Sequence, residues 1–61
     1  MIYENIKSIA QEKGISIAQI EKMAGLGNGT IGKWRNSNPG IVNLFKIAKA
    51  LDVPFESLVK K

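Results

Sequence analysis

The sequence predicts a small all-α domain of five short helices packed around one core. Its apolar residues recur at intervals of three and four, which is the spacing of helices that bury one face. Glycine, proline and other turn residues separate these stretches, and no stretch alternates as a half-buried strand would. With 61 residues, the chain has room for one domain, residues 1–61.

The first two predicted helices both end at a glycine. The first covers residues 2–13 and is followed by Gly14, which can take the left-handed conformation that stops a helix. Its buried face is formed by Ile2, Ile6, Ile9 and Ala10. The second covers 17–24, between Ser16, which has a glutamine three residues later as in a capping box, and Gly25. Its apolar face is formed by Ile17, Ile20, Met23 and Ala24.

The remaining helices follow from apolar pairs and turn residues. Ile31 and Trp34, three residues apart, predict a third short helix with a buried side, over about 28–35. The turn residues 36–40 end it. The fourth helix has an apolar face formed by Ile41, Leu44, Ile47, Ala48 and Leu51. A last helix begins near Pro54, with Phe55, Leu58 and Val59 facing inward.

The composition excludes several classes of protein. The chain contains no cysteine and no histidine, so disulfides, the usual zinc sites, and thiol or imidazole catalysis are not available to it. Its five carboxylates are scattered along the chain. We therefore expect no enzymatic activity, no cofactor, no metal and no small-molecule substrate. No apolar run approaches the roughly 20 residues of a membrane span, and we expect a soluble, cytoplasmic protein.

The net charge of +4 suits a polyanionic partner, although many small domains without such a partner are mildly basic. Lys33 and Arg35 are the candidate contacts on the third helix. Four other lysines are spread over two helices among acidic residues, and we expect them to be a solvated face. They are Lys46, Lys49, Lys60 and Lys61.

Residues 27–33 also match two nucleotide-binding patterns, G-x-G-x-x-G and G-x-x-x-x-G-K. Both patterns need a preceding strand, whereas the preceding segment has helical periodicity. The second pattern also needs a serine or threonine at the position of Trp34. We therefore do not expect nucleotide binding.

The second and third helices are too short, and too closely connected, to lie antiparallel. Each has about two turns, and only a few residues around Gly25 join them, so they are predicted to cross steeply as a helix-turn-helix. Ile20, Ile31 and Trp34 would hold the two helices together. The outer face of the third helix would then be free to enter the major groove of DNA.

A series of short motifs extends over nearly the whole chain. They are Lys13-Gly14-Ile15-Ser16, Ala24-Gly25-Leu26, Thr30-Ile31, Lys33-Trp34, Asn38-Pro39-Gly40-Ile41, Leu44, Lys46-Ile47-Ala48-Lys49-Ala50-Leu51, Val53 and Leu58. In these motifs, at these spacings and in this order, the chain resembles the phage repressor and Cro family of helix-turn-helix proteins, the XRE-like transcriptional regulators. This resemblance implies a five-helix, lambda-repressor-like domain of bacterial or phage origin. Such a domain binds a palindromic operator in double-stranded DNA, usually as a homodimer.

Carried over by position, the resemblance implies two sets of DNA contacts. The base-contacting set is Asn28, Gly29, Thr30, Gly32 and Lys33. The backbone-contacting set is Ser16, Ile17, Gly27, Arg35, Asn36, Ser37, Asn38 and Asn43. Chemically, Asn28 can pair with adenine and Lys33 with guanine, whereas a glycine has no side chain that can read a base. Asn28 could instead cap the third helix.

The chain departs from the family pattern in three ways. Ile17 stands where a glutamine often contacts the DNA backbone, so one phosphate contact is weakened. Glu21 stands where alanine is common, and we expect its carboxylate to bend toward solvent or a basic partner. Many phage members pair an arginine at position 10 with a glutamate at position 35. Here these positions hold Ala10 and Arg35, which leaves Arg35 free to reach a phosphate.

Three questions stay open at this point. Gly29 and Gly32 within a helix cost about 1 kcal/mol each, which indicates either close approach to DNA or a frayed helix that reads DNA shape. The apolar residues near the end of the chain could form a dimer interface or belong to the core. They are Val53, Phe55, Leu58 and Val59. The alternative function is a helical protein-interaction module, antitoxin-like or a regulator's partner, with weak DNA readout.

Overall fold

A computed structural model describes residues 2–60 and shows four α-helices and one 3₁₀ helix. They are α1 (Ile2–Lys13), α2 (Ile17–Ala24), the 3₁₀ helix (Ile31–Arg35), α3 (Ile41–Leu51) and α4 (Glu56–Val59). The all-α prediction is confirmed, whereas the count of five α-helices is not, because the third predicted helix is a 3₁₀ helix that begins at Ile31. Of the four lysines predicted to face solvent, Lys61 lies outside the described residues and the other three are exposed.

Local signals define both ends of α2. Ser16 Oγ accepts a hydrogen bond from the Gln19 amide at 3.1 Å, and Gln19 Oε1 accepts one from the Ser16 amide at 2.8 Å. Gly14 and Gly25 have φ values of 70° and 73°, the left-handed conformation that ends α1 and α2. The predicted capping box and glycine stops are therefore confirmed. In α3 the same role falls to a non-glycine residue, Asp52, with φ 57°.

The core takes residues from every helix, and its most completely buried side chains are all aliphatic. The buried hydrophobic residues are Ile6, Ala10, Ile20, Ile31, Trp34, Leu44, Ile47, Ala48, Leu51 and Leu58. Three residues predicted to face inward are exposed instead, namely Met23 at 55%, Ile41 at 59% and Val59 at 41%. Each lies at or next to the end of its helix. Their side chains therefore extend beyond the edge of this small core.

A side-chain clasp joins α1 to the end of the described chain. Asn5 Nδ2 on α1 donates to the carbonyl oxygens of Leu58, at 2.9 Å, and Lys60. The Leu58 carbonyl lies in the last turn of α4 and the Lys60 carbonyl follows that turn, so both would otherwise lack a partner within the helix. None of the helices formed by residues 2–60 is long and apolar enough to cross a bilayer.

Candidate nucleic-acid interface

A tight glycine turn connects α2 to the 3₁₀ helix. The amide of Leu26 donates to the Glu21 carbonyl at 2.8 Å, and the amide of Gly25 donates to the Lys22 carbonyl at 3.2 Å. This pair of bonds is a Schellman motif, which satisfies the last carbonyls of α2 while the chain reverses. The turn continues to Thr30, and the 3₁₀ helix then begins at Ile31.

The reading segment, residues 28–35, is only partly helical. Its first three residues form turns, and Gly29 has φ 87°, a conformation that side-chain-bearing residues rarely adopt. The prediction that Gly29 lies inside a helix is therefore wrong, and its backbone conformation explains why it is glycine. Gly32 does lie in the 3₁₀ helix, where an added Cβ would meet nothing within 4 Å. Packing within the chain thus does not require glycine at position 32.

The Glu21 carboxylate caps the reading segment. Glu21 is 3% exposed, and its Oε1 and Oε2 accept hydrogen bonds from the amides of Gly29 at 3.1 Å and Ile31 at 2.9 Å. The expectation that this carboxylate bends toward solvent or a basic partner is wrong. Amides at the start of a helix have no carbonyl partner within it, and a carboxylate satisfies two of them at once. Among the described residues, no buried side-chain nitrogen or oxygen lacks a partner.

The two sides of the reading segment differ sharply in burial. Ile31 and Trp34 are buried against the core, as predicted, while Asn28, Lys33 and Arg35 are exposed. Capping of the 3₁₀ helix is carried out by Glu21 rather than by Asn28. The Asn28 amide is therefore left at the surface, where it can contact another molecule.

Arg35 is exposed but not free. Its Nε donates to the Gly32 carbonyl at 3.3 Å, and its guanidinium carbon lies 5.7 Å from the centre of the Tyr3 ring on α1. In place of the glutamate found at this position in many phage members, Arg35 thus has Tyr3 as a cation–π partner, and its predicted contact with a phosphate stays a prediction. Such cation–π contacts at exposed sites contribute about 0.5–1 kcal/mol, so a phosphate can still compete for the guanidinium.

The structure brings together part of the predicted backbone-contacting set. Four of its members line one shallow depression beside Trp34. They are Arg35, Asn36, Ser37 and Asn38. Ser37 Oγ also donates to the Lys33 carbonyl at 3.2 Å, which ties this loop to the 3₁₀ helix. Of the rest of the set, Ser16 and Gly27 are exposed, and Ile17 and Asn43 are half-buried.

A second depression contains a cation that the sequence reasoning missed. Asn28 lines it together with Ala18, Glu21, Lys22 and Leu26. Lys22 is exposed on α2, so a positive charge lies at the same depression as the side chain predicted to read a base. Lys22 follows Ala18 by four residues on the same side of α2, and this spacing was the signal available in the sequence.

The predicted dimer surface needs correction. Leu58 is 0% exposed and belongs to the core, so it cannot form an interface. Val53 and Phe55 are partly buried against the core, and Val59 is 41% exposed. Phe55 also stacks on Phe45 of α3, with ring centres 4.6 Å apart.

Phe45 belongs to a larger exposed apolar group. Ile41, Val42 and Phe45 lie on one side of α3 and are 59%, 65% and 53% exposed. With Phe55 they make up what we call the α3–α4 apolar surface. The prediction missed the α3 part because it assigned Ile41 to the core and did not consider Val42 or Phe45.

Comparison with known proteins gives one match. The sequence profile of a family described as helix-turn-helix matches residues 6–58. This range begins within α1, ends within α4, and includes α2, the glycine turn and the reading segment. No curated protein and no solved structure matches the chain.

Proposed function

Because the chain belongs to the helix-turn-helix family of the Cro and repressor type, we propose that it is a sequence-specific DNA-binding transcriptional regulator without enzymatic activity. One observation supports this most strongly. The reading segment buries Ile31 and Trp34 on one side and exposes Asn28, Lys33 and Arg35 on the other. A buried anchor with a polar, basic outer face is what a segment needs to sit in the major groove. We propose repression as its role, in the cytoplasm of a bacterium and at a bacterial or phage operator.

The short length of the 3₁₀ helix limits what it can read. Five residues at about 2 Å of rise span about 10 Å, so only a few side chains reach base edges. Asn28 would pair with adenine and Lys33 with guanine, while Thr30 lies at the edge of the contact. Gly29 and Gly32 supply no side chains, but they allow the backbone to approach the bases closely.

Phosphate contacts would position this segment on the duplex. The exposed residues 36–38 line one depression with Arg35, and Lys22 lines a second depression with Asn28. Ser16 and the main-chain amide of Ile17 are at the start of α2, where a helix attracts anions. Such contacts fix the register of a protein on DNA without specifying sequence.

Selection of bound duplexes from a random pool by the purified chain tests the function directly. We expect an enriched motif with two inverted half-sites whose centres are about 34 Å, one helical turn, apart. Few base contacts predict a short half-site with weak preferences at its flanks. Recovery of no enriched motif at low salt would contradict specific DNA binding.

We also propose that the chain binds its operator as a homodimer through the α3–α4 apolar surface. Within the described chain, α3 exposes more large apolar side chains than any other helix does. Exposed apolar patches of this kind mark interaction sites. In a two-fold interface the same patch of both copies is used, so Phe45 of one copy would contact the apolar surface of the other.

The substitution Phe45→Ser tests this interface. We expect it to abolish the dimer seen by sedimentation equilibrium in the presence of a two-half-site duplex. We also expect it to reduce affinity for that duplex at least tenfold, while single half-site affinity is unchanged. Met23→Ser is the matched control, since Met23 is 55% exposed, compared with 53% for Phe45, and lies on α2. Equal losses in the two variants would place the interface elsewhere.

A helical protein-interaction module remains the second candidate function. Two observations favour it, namely a reading segment that is a 3₁₀ helix with two glycines and the exposed α3–α4 apolar surface. Such a module would bind DNA with a salt dependence but without sequence preference. The selection experiment separates the two functions, because only the regulator enriches a motif.

A further inference from the structure

We propose that Glu21 is a positioning residue for base readout, and that its buried carboxylate sets how well the protein discriminates between DNA sequences. This inference rests on the proposed function. It concerns a residue that contacts the backbone of the reading segment and has almost no exposed surface. Glu21 therefore acts on DNA recognition only through other residues.

The carboxylate bonds fix the segment that precedes the 3₁₀ helix. Glu21 lies on α2 and holds the amides of Gly29 and Ile31, which are the residues on either side of Thr30. Gly29 has no Cβ to restrict its backbone, and without these two bonds the turn would keep its main-chain bond from the Thr30 amide to the Gly27 carbonyl, at 3.2 Å, but lose its connection through the carboxylate to α2. The carboxylate thus joins the turn to α2 at two points.

This connection determines where Asn28 points relative to the rest of the interface. Asn28 directly precedes the first anchored amide, that of Gly29, and lines the same depression as Lys22 of α2. Lys33, in contrast, is placed by the buried side chains of Ile31 and Trp34 in the same 3₁₀ helix. Loss of the carboxylate should therefore disorder readout by Asn28 and leave contacts made by Lys33 largely in place.

Discrimination should fall more than affinity for DNA in general. Non-specific affinity comes from cations and donors near phosphates, which here are Lys22, Lys33, Arg35 and residues 36–38. None of these groups contacts the Glu21 carboxylate through a hydrogen bond found among residues 2–60. A loosened turn keeps these cations but loses the fixed geometry that a bidentate base contact needs.

Two substitutions at Glu21 separate geometry from charge. Glu21→Gln keeps the size of the side chain, but only its carbonyl oxygen can accept a hydrogen bond. Its NH₂ group would then face one of the two main-chain N–H donors. Glu21→Asp keeps the charge but is one methylene too short to reach both amides. The measured quantity is the ratio of the affinity for the selected duplex to the affinity for a scrambled duplex. We expect this ratio to fall roughly tenfold in each variant. Glu12→Gln, an exposed site on α1 with the same charge change as Glu21→Gln, should keep the wild-type ratio within about twofold.

The ratio remains informative even if a variant is partly unfolded. Unfolding lowers the apparent affinity for both duplexes by the same folded fraction, which cancels in the ratio. A purely structural role for Glu21 would therefore leave the ratio unchanged. Repeating the selection with Glu21→Gln adds a second readout. The variant should lose base preference at the same base pair as Asn28→Ala does. It should keep preference at the base pair where Lys33→Ala loses it.

The outcomes distinguish this inference from the proposed function. If the wild type enriches a motif and Glu21→Gln retains its ratio within twofold, the positioning role is overturned and the DNA-binding function stands. If the wild type does not discriminate between duplexes, both the function and the inference fail. A tenfold loss confined to the Glu21 variants supports both.

Discussion

Trp34→Ala is expected to lower the free energy of unfolding by about 3–5 kcal/mol. Trp34 is 7% exposed and is the largest side chain in the core, where it anchors the reading segment. A domain of this size has a total stability of only about 3–9 kcal/mol, so this loss removes at least about a third of it. Urea denaturation followed by far-ultraviolet circular dichroism measures the change.

Two comparisons make that measurement specific. Trp34→Phe keeps an aromatic ring in the cavity and should cost clearly less than the alanine variant. Met23→Ala removes an apolar side chain that is 55% exposed, and we expect a loss of no more than about 1 kcal/mol. If Trp34→Ala were as mild as Met23→Ala, Trp34 would not anchor the fold.

Lys33→Ala is expected to weaken binding to the selected duplex by roughly 10- to 100-fold, equivalent to about 1–3 kcal/mol. Lys33 is exposed on the 3₁₀ helix that carries buried Ile31 and Trp34, so its side chain can reach a base edge without disturbing the core. The loss should be much smaller on a scrambled duplex. Fluorescence anisotropy with both duplexes at several salt concentrations provides the measurement.

The salt dependence shows which group Lys33 contacts. A contact to phosphate would lower affinity for both duplexes alike and reduce the slope of log affinity against log salt by about 0.9. Lys49→Ala is the control, because Lys49 is an exposed lysine on α3 with the same charge. Equal effects of the two substitutions would show that Lys33 contributes only general positive charge.

The helix boundaries around α2 could be predicted because the signals are local. The Ser16 capping box and the glycines at 14 and 25 act within one turn of the backbone, and the chain shows each where it was expected. The reading segment could not be predicted in the same way. Its helix begins at Ile31 because a carboxylate ten positions earlier in the sequence caps it there, and a pattern of apolar spacing carries no trace of that bond.

The candidate site was likewise predictable only where the signal was local. The spacing of Ile31 and Trp34 predicted that both are buried, and their burial predicted that Lys33 lies on the outer side. The role of Glu21 did not, since a carboxylate is normally solvated unless tertiary structure supplies donors. Periodicity likewise placed Leu58 on an apolar face, but only the packing of α4 against α1 shows that this residue lies in the core.

The Glu21 bonds also bear on how this domain can change. Both bonds go to main-chain N–H groups, which every residue except proline carries, so the anchorage does not depend on the side chains at positions 28, 30 and 33. Those three positions can therefore be exchanged for others while the turn keeps its shape. The backbone of the turn thus stays fixed while the side chains that read DNA can be exchanged. New operator preferences can therefore be sought in a library that is randomised at these three positions and retains Glu21 and Gly29.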